Sequence, residues 1–245
     1  VRSRRQRQMC IRDRITMIRF LLKGIIRDKS RSFLPIVIIA IGTSLTIFLS
    51  GYIEGVMGDM VTQNAKFETG HVKIVTKEYL KNKNQLPLDL ALLEIASFKK
   101  KLQTDFPTME WVERIRFGGL IDIPNEKGET KGQGPSLGIA INIFSSTHEI
   151  ERFNLKKSLM SGKIPSQKGE VLISHYFAQK LKVKVGDEIT YFGSTMNGSM
   201  SFKNLIISGT IHFGTASMDK GTIIIDISDA QEILDIEDGA SELLG

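Results

Sequence analysis

Cysteine is nearly absent from this chain of 245 residues. Its one thiol, Cys10, lies in a short basic stretch at the start of the sequence. The residues after it therefore have no disulfide within the chain and no thiol chemistry of their own. A domain folded from them must be held together by core packing alone.

The chain also lacks the short motifs of common catalytic and nucleotide sites. No Gly-x4-Gly-Lys-Ser/Thr pattern occurs, so the chain does not hold ATP in a phosphate loop. The four histidines have no His-x3-His spacing and no nucleophile-elbow serine beside them; they are His71, His148, His175 and His212.

Five acidic residues crowd near the end of the sequence but lack the spacing of a calcium loop. They are Asp226, Asp229, Asp235, Glu237 and Asp238. We therefore predict no catalytic, cofactor-binding or metal-binding residue, and we do not expect the chain to be an enzyme.

One long apolar run stands out against this background. Residues Phe33 to Ile53 include no charged side chain, and as a helix these 21 residues extend about 31 Å, which matches the hydrocarbon core of a bilayer. A cleaved export signal has a shorter apolar region and a small-x-small site, and neither is present here. We predict a membrane-spanning helix over residues 33–53.

Charge is distributed unequally on the two sides of this run. Before Phe33, eleven Lys/Arg stand against two Asp, a balance of +9, whereas after Ile53 twenty-two Lys/Arg stand against twenty-five Asp/Glu, a balance of −3. A basic flank keeps its side of a span in the cytoplasm, and it is not the folded basic surface that nucleic-acid binding requires. We expect a cytoplasmic N-terminus, an extracytoplasmic main domain and no nucleic-acid partner.

The basic flank has two parts. Residues 1–14 resemble a translated sequencing-adaptor scar, and we exclude them from fold reasoning as a non-native tail; the alternative is a genuine basic tail. Residues 15–31 predict an amphipathic helix on the cytoplasmic leaflet that ends in a turn at Ser30–Ser32. Its basic face comprises Arg19, Lys23, Arg27 and Arg31, and its apolar face Ile15, Ile18, Leu22, Ile25 and Ile26.

Small and polar residues form a stripe on the predicted span. Gly42, Thr43, Thr46 and Ser50 share one helical face, which favours close packing and hydrogen bonding with a neighbouring helix. Alternatively, the hydroxyls bond to carbonyls of their own helix, and the stripe then carries no information about neighbours.

The remainder predicts an α+β domain of mixed strands and short helices, with room for two lobes. We expect strands at 71–76, 114–123, 137–143, 170–174 and 221–227. We also expect a helix from Leu88 to Leu102, an exposed loop or hairpin tip at 124–136, and a hairpin through Gly186–Asp187. Gly209 predicts a bulge, and Ser228 with Gln231 predicts a helix cap.

Four ordered segments of this domain resemble the FtsX-like and MacB-like ABC-transporter permeases, which include the lipoprotein-releasing permeases. They are GHVKIVTKEY (70–79), SGKIPSQKGEVLISHYFAQKLKVKVGDEI (161–189), MNGSMSFKNLIISGTIHFG (196–214) and MDKGTIIIDISDAQEIL (218–234). No single segment is diagnostic, but their order is, and with the basic helix and the first span the resemblance covers about residues 15–245.

This resemblance implies a permease subunit of the bacterial cytoplasmic (inner) membrane. Such a subunit carries four spans, places a large outer domain between the first two, and forms a homo- or heterodimer with a second permease subunit. A separate cytoplasmic ABC ATPase subunit binds the ATP, and the outer domain handles lipoproteins, hydrophobic cargo or signals. The resemblance also implies that the subunit contacts membrane lipid.

The chain departs from the family pattern because it has one span. We expect an N-terminal part of a longer permease, with a connector at 54–66 and a MacB-like core domain at 67–245 that is incomplete at its C-terminus. The alternative is a single-span anchored protein whose outer domain binds a ligand or acts as a sensor.

Overall fold

The computed structural model divides the chain into two compact units, residues 1–62 and 63–245. The residues it describes are 16–20, 23–24, 27, 29–64, 70–125, 129–145 and 147–245. The predicted non-native tail, residues 1–14, lies outside the described residues.

Helix α1 extends from Lys29 to Asn64 without interruption. Its segment Ser32–Gly58 is long and apolar enough to cross a membrane, and none of its most apolar window is buried within the chain. The predicted turn at Ser30–Ser32 is wrong, because these residues continue the helix. The predicted connector is helical as far as Asn64, beyond the apolar run.

Nine strands among the described residues of the second unit build one sheet. They are β1 (Lys73–Ile74), β2 (Val112–Pro124), β3 (Thr130–Ile141), β4 (Leu159–Gly162), β5 (Glu170–Ser174), β6 (Glu188–Ser194), β7 (Met200–Ile211), β8 (Thr222–Asp226) and β9 (Glu242–Leu244). Short helices lie between them: α2 (Lys77–Asn82), α3 (Ile95–Asp105), α4 (Thr147–Arg152), α5 (Leu155–Ser158), α6 (His175–Leu181), α7 (Ala216–Asp219) and α8 (Ile227–Leu234).

Six of these strands close on themselves. Hydrogen bonds connect β2, β3, β8, β5, β7 and β6 in that order, and β6 pairs again with β2. The β3–β8 and β5–β7 pairs are parallel and the others are antiparallel. Closure pairs strand edges that would otherwise be open to solvent or to other chains. Outside this circuit, β9 pairs with β2, β1 pairs with β9, and β4 pairs with β7.

Both faces of the closed sheet are buried over much of its extent. Along β8, Ile223 and Ile225 belong to the larger core cluster, while Ile224 belongs to a second one. Successive side chains of a strand point to opposite faces, so a strand covered on both sides needs a continuous apolar run. This explains the unbroken Ile223–Ile225 sequence.

An aromatic pair in the larger cluster depends on neighbouring glycines. Phe117 and Tyr191 meet edge to face with centroids 5.3 Å apart, and the Tyr191 hydroxyl donates to the Gly118 carbonyl at 2.9 Å. A Cβ on Gly138, the cross-strand partner of Phe117, would lie 2.1 Å from the Phe117 ring. Glycine therefore provides the space that the ring occupies.

Several local predictions are confirmed. Strand β5 has the predicted bounds, and the sheet is irregular beside Gly209, where a Cβ would lie 2.8 Å from the Lys163 carbonyl oxygen. Strands β2 and β3 both occur and form a hairpin, but the predicted loop at 124–136 is too long, because residues 130–136 pair with β2 as part of β3.

Other local predictions are wrong. The strand at 71–76 is reduced to Lys73–Ile74. Helix α3 begins at Ile95 rather than Leu88, because Glu94 adopts a left-handed φ of 55° that α-helix cannot continue. The hairpin through Gly186 does not form either, since a strand follows that turn but none precedes it. Asp226, rather than Ser228, caps helix α8 by accepting a hydrogen bond from the Ser228 amide at 2.9 Å.

Candidate functional site: the apolar helix and the clasp of the outer domain

The apolar side chains of helix α1 are exposed around its whole circumference. Phe33, Ile39 and Phe48 expose 69%, 67% and 70% of their surfaces. An all-round apolar helix has no amphipathic face that would pack on a soluble core, and lipid is the medium that accommodates it. The helix is therefore the candidate membrane-spanning element among the described residues.

The predicted stripe of small residues lies within this helix. The Thr46 hydroxyl donates to the Gly42 carbonyl at 2.8 Å, which is the alternative contact that the sequence left open for such residues. Gly42 has no atom within 4 Å of a would-be Cβ. A role of Gly42, Thr43, Thr46 and Ser50 in helix packing remains a prediction.

The basic residues before the span are described only in part. Arg19, Lys23 and Arg27 are helical and exposed. Arg31 lies in helix α1, but its side chain falls outside the described residues, as do Ile15, Leu22, Ile25 and Ile26 of the predicted apolar face. The interfacial character of residues 15–31 therefore remains a prediction.

A compact polar cluster lies at the start of the outer domain. The Glu242 carboxylate of β9 receives the Lys73 ammonium of β1 at 2.6 Å, and Arg116 Nε of β2 lies 3.4 Å from the same oxygen. Glu242 is only 2% exposed. Because β9 lies between β1 and β2, one buried carboxylate contacts cations on both neighbouring strands.

Backbone hydrogen bonds join the segments that carry Lys73 and Glu242. The amides of His71 and Val72 donate to the Gly245 carbonyl at 3.0 and 3.1 Å, and the Gly245 amide donates to the Val72 carbonyl at 2.9 Å. Gly70 has a φ of 59°, and a Cβ there would lie 3.2 Å from the Gly245 oxygen. We name segments 70–74 and 241–245, together with the Arg116 side chain, the clasp.

Tyr79 borders the clasp. Burial, followed by the nearby Glu242 charge, raises the pKa of Tyr79 to about 12, so the phenol stays neutral at physiological pH. The Ser241 hydroxyl accepts a hydrogen bond from the Arg116 amide at 3.1 Å, which joins segment 241–245 to β2. Sequence reasoning missed the clasp because Lys73 and Glu242 are 169 residues apart, and no local pattern links them.

A second buried ion pair fixes helix α4 to the sheet. Arg114 donates to Glu149 from Nε at 2.7 Å and from Nη2 at 3.0 Å, and its guanidinium lies 4.5 Å from the centre of the Phe153 ring. Both charged side chains are at most 1% exposed. The two-point geometry satisfies charges that would otherwise be costly to bury.

Four of the five acidic residues near the end of the sequence have separate structural partners. Asp226 accepts from the Ile143 and Phe144 amides, Asp229 accepts from the Gly169 amide, and Asp238 accepts from the Ala96 amide. Asp235 accepts from the Asn197 side chain. Among the described residues, no group of three or more His, Cys, Asp or Glu could hold a metal ion.

The histidines also lie apart. His175 Nδ1 is 3.3 Å from the Thr210 hydroxyl, His212 Nδ1 is 3.1 Å from Asp219, and His148 Nδ1 is 3.7 Å from the exposed Glu110. These contacts join side chains across neighbouring elements. None of the three contacts includes a serine or cysteine nucleophile.

The geometry described above defines a class of protein: a mixed α+β domain that follows an apolar helix long enough to cross a bilayer. The sequence matches the MacB-like periplasmic core domain over residues 32–243. The chain belongs to this family and is a member of the MacB/FtsX-like ABC-transporter permeases.

Among solved structures, the chain is similar to the periplasmic region of MacB from Actinobacillus actinomycetemcomitans. The two are 9% identical with a TM-score of 0.41, and the match covers 62% of this chain and 64% of the other. The chain thus matches less than two thirds of that structure's length. No curated protein matches the sequence.

Proposed function

We propose that the chain is the permease subunit of an ABC transporter of the lipoprotein-releasing or macrolide-exporter type. A cytoplasmic ATPase subunit supplies ATP hydrolysis, a second permease subunit completes the dimer, and lipoprotein or another hydrophobic molecule is the cargo. The observation that carries the proposal is one chain that joins an exposed apolar helix to a MacB-like core domain.

The charge distribution supports a particular orientation in the bacterial inner membrane. The excess of Lys and Arg before Phe33 favours a cytoplasmic N-terminus. The domain after the helix is then extracytoplasmic, as the family of its core domain implies. The stripe from Gly42 to Ser50 supplies a face on which other membrane helices can pack.

Coupling to ATP hydrolysis requires a stiff connection between the span and the outer domain. Helix α1 continues to Asn64, well past Ile53, and described structure resumes at Gly70. A continuous helix transmits displacement better than a flexible loop of equal length. Flexible insertions at Gly55 and Gly58 should uncouple ATP hydrolysis from movement of the outer domain, and unchanged coupling would contradict this mechanism.

Orientation is tested by labelling single cysteines in intact cells. In a Cys10→Ser background, Asn197→Cys at the exposed tip between β6 and β7 should react with a membrane-impermeant maleimide, whereas Arg19→Cys should react only after lysis. The matched pair differs only in the side of the membrane that we predict. Reversed labelling, or labelling of both in intact cells, would overturn the proposed topology.

The partner is tested separately by reading the DNA past codon 245 and around the gene. We expect the reading frame to continue into three further apolar segments, next to a gene with a phosphate-binding loop motif. The solubilised chain should then co-purify with that ATPase. A frame that stops, with no ATPase gene nearby, would replace the transporter by a single-span ligand-binding or sensor protein.

A further inference from the structure

Strand β1 reaches the closed sheet by one ladder among the described strands. It pairs with β9, and β9 pairs with β2. Both pairings are short, because β1 has two residues and β9 has three. Two short ladders hold β1, β9 and β2 together only weakly. Side-chain contacts between these strands therefore have a large influence on whether they move together.

The side-chain contact here spans three strands. Glu242 is on the middle strand, Lys73 approaches its Oε1 atom from β1, and Arg116 approaches the same atom from β2. The other strong buried pair, Arg114–Glu149, connects β2 to helix α4 and does not involve β1. Glu242 is therefore the described carboxylate that joins β1 to the closed circuit.

We propose that Glu242 is a positioning residue that holds the clasp closed, so that displacement entering the outer domain at segment 70–74 passes through β9 to β2. The transmission role rests on the proposed function, because it requires a span that moves. The coupling of the three strands by Glu242 does not depend on it.

Two features make this carboxylate more than a surface ion pair. Its burial removes the screening by water that reduces exposed pairs to little or nothing, and its loss leaves the Lys73 and Arg116 cations without their shared partner. The two segments that the Lys73–Glu242 pair connects are also joined by the backbone hydrogen bonds of His71, Val72 and Gly245. Loss of the Glu242 carboxylate charge should thus open those backbone hydrogen bonds before others in the domain.

Hydrogen exchange on the whole chain in nanodiscs tests the inference. In Glu242→Gln, the amides of His71, Val72 and Gly245 should exchange at least about tenfold faster, because their opening no longer breaks the Lys73–Glu242 ion pair. Amides of Ile223 to Ile225 in β8 should be unchanged. Exchange at the clasp within twofold of wild type would overturn the proposal, as would an equal rise at β8, which signals global destabilisation instead.

Two variants sharpen the result. Glu149→Gln removes a comparably buried carboxylate and should accelerate exchange around helix α4, for example at the Phe153 amide, without selective acceleration at the clasp. Lys73→Met should accelerate the clasp amides, and adding it to Glu242→Gln should give little further effect, because both remove the same contact. Additive acceleration by the two changes would show that Lys73 and Glu242 are not coupled.

The exchange result and the proposed transport function can fail independently. A missing ATPase partner would remove the transmission role and leave the three-strand coupling intact. Unchanged exchange in Glu242→Gln would remove the coupling and leave the permease assignment intact.

Discussion

The apolar helix and the outer domain bury their apolar residues by different means. In residues 70–245, side chains such as Ile121, Ile139 and Ile223 are fully buried by other parts of the same domain. In helix α1, side chains of the same type are mostly exposed, and the most apolar window has no buried residue. The domain thus buries its apolar side chains in its own core. The apolar side chains of the helix can leave water only by contact with a medium outside the chain. The stability of the domain is measured by its free energy of unfolding, and that of the helix by its free energy of membrane insertion.

The largest effect should come from breaking the buried ion pair of the domain. Glu149→Gln removes the buried carboxylate charge that pairs with the Arg114 cation and should lower the free energy of unfolding by about 3–5 kcal/mol. Urea denaturation followed by fluorescence of Trp111, the sole tryptophan, measures the change. Glu110→Gln is the control, since its exposed contact with Arg152 should contribute less than about 1 kcal/mol. Equal losses in the two variants would contradict the difference in burial.

A charge introduced into helix α1 tests the second half of the comparison, the membrane insertion of the helix. Leu45→Lys near the middle of the apolar run should disfavour membrane insertion by about 2.5–3.5 kcal/mol. The inserted fraction can be measured by resistance of the membrane-bound chain to carbonate extraction. Leu80→Lys places the same charge on an exposed surface of the domain and should leave the inserted fraction unchanged. If Leu45→Lys inserts as well as wild type, helix α1 is not the spanning element.

A smaller effect measures how much close packing contributes to the free energy of unfolding of the domain. Gly138→Ala places a methyl group against the Phe117 ring and should cost about 1–3 kcal/mol of unfolding free energy. Gly118→Ala, on the facing strand, meets open space and should be nearly neutral. Thermal or urea unfolding of the two variants separates packing from glycine's backbone flexibility, because both are strand glycines with ordinary φ. Similar losses would make flexibility the cause.

The smallest effect concerns two buried carboxylates with opposite pKa shifts. Burial raises the pKa of Asp229 despite the Gly169 amide, whereas in Glu170 the bonds from Ser166 and Lys163 outweigh burial and lower the pKa. Asp229 therefore costs stability once the pH rises above the unfolded-state pKa. Glu170 contributes stability at neutral pH that is lost as the pH falls through its lowered folded-state pKa.

These signs predict opposite responses to neutralisation at pH 7. Asp229→Asn should raise the free energy of unfolding relative to wild type, and Glu170→Gln should lower it. Both differences should shrink as the pH falls: the Asp229 difference below its raised folded-state pKa, and the Glu170 difference only as the pH falls through its lowered folded-state pKa. Denaturation at several pH values checks this. Two changes of the same sign at pH 7 would contradict the assigned shifts.

Local chemistry explains which parts of the fold could be predicted. The apolar run, strand β5 and the bulge beside Gly209 follow from hydrophobicity and residue size within a few neighbours. The start of helix α3 was predicted too early, because apolar spacing continues across Leu88 to Ile95 while Glu94 turns left-handed. The helix cap was assigned to Ser228 because Gln231 completes a capping-box pattern, yet Asp226 accepts the hydrogen bond. Asp and Ser have similar N-cap propensities, so propensity does not distinguish Asp226 from Ser228. The place where strand β8 ends in the folded domain decides which of them caps the helix.

The clasp could not be predicted at all from local pattern. Lys73, Arg116 and Glu242 are ordinary charged residues in their own segments, and their spacing has no periodic meaning. They meet because β9 enters the sheet between β1 and β2. Burial then gives their charges an energetic weight that exposed residues of the same types lack.

The sequence by itself determined that one segment must leave water for an apolar medium and that the rest must bury an α+β core without disulfides. These properties depend on composition and short-range periodicity, which are present before folding. The tertiary structure alone decided that six strands close into a circuit, that the helix continues to Asn64, and which charged groups become buried partners. Such outcomes depend on contacts between residues far apart in the chain, whose energies exist only after the strands have paired.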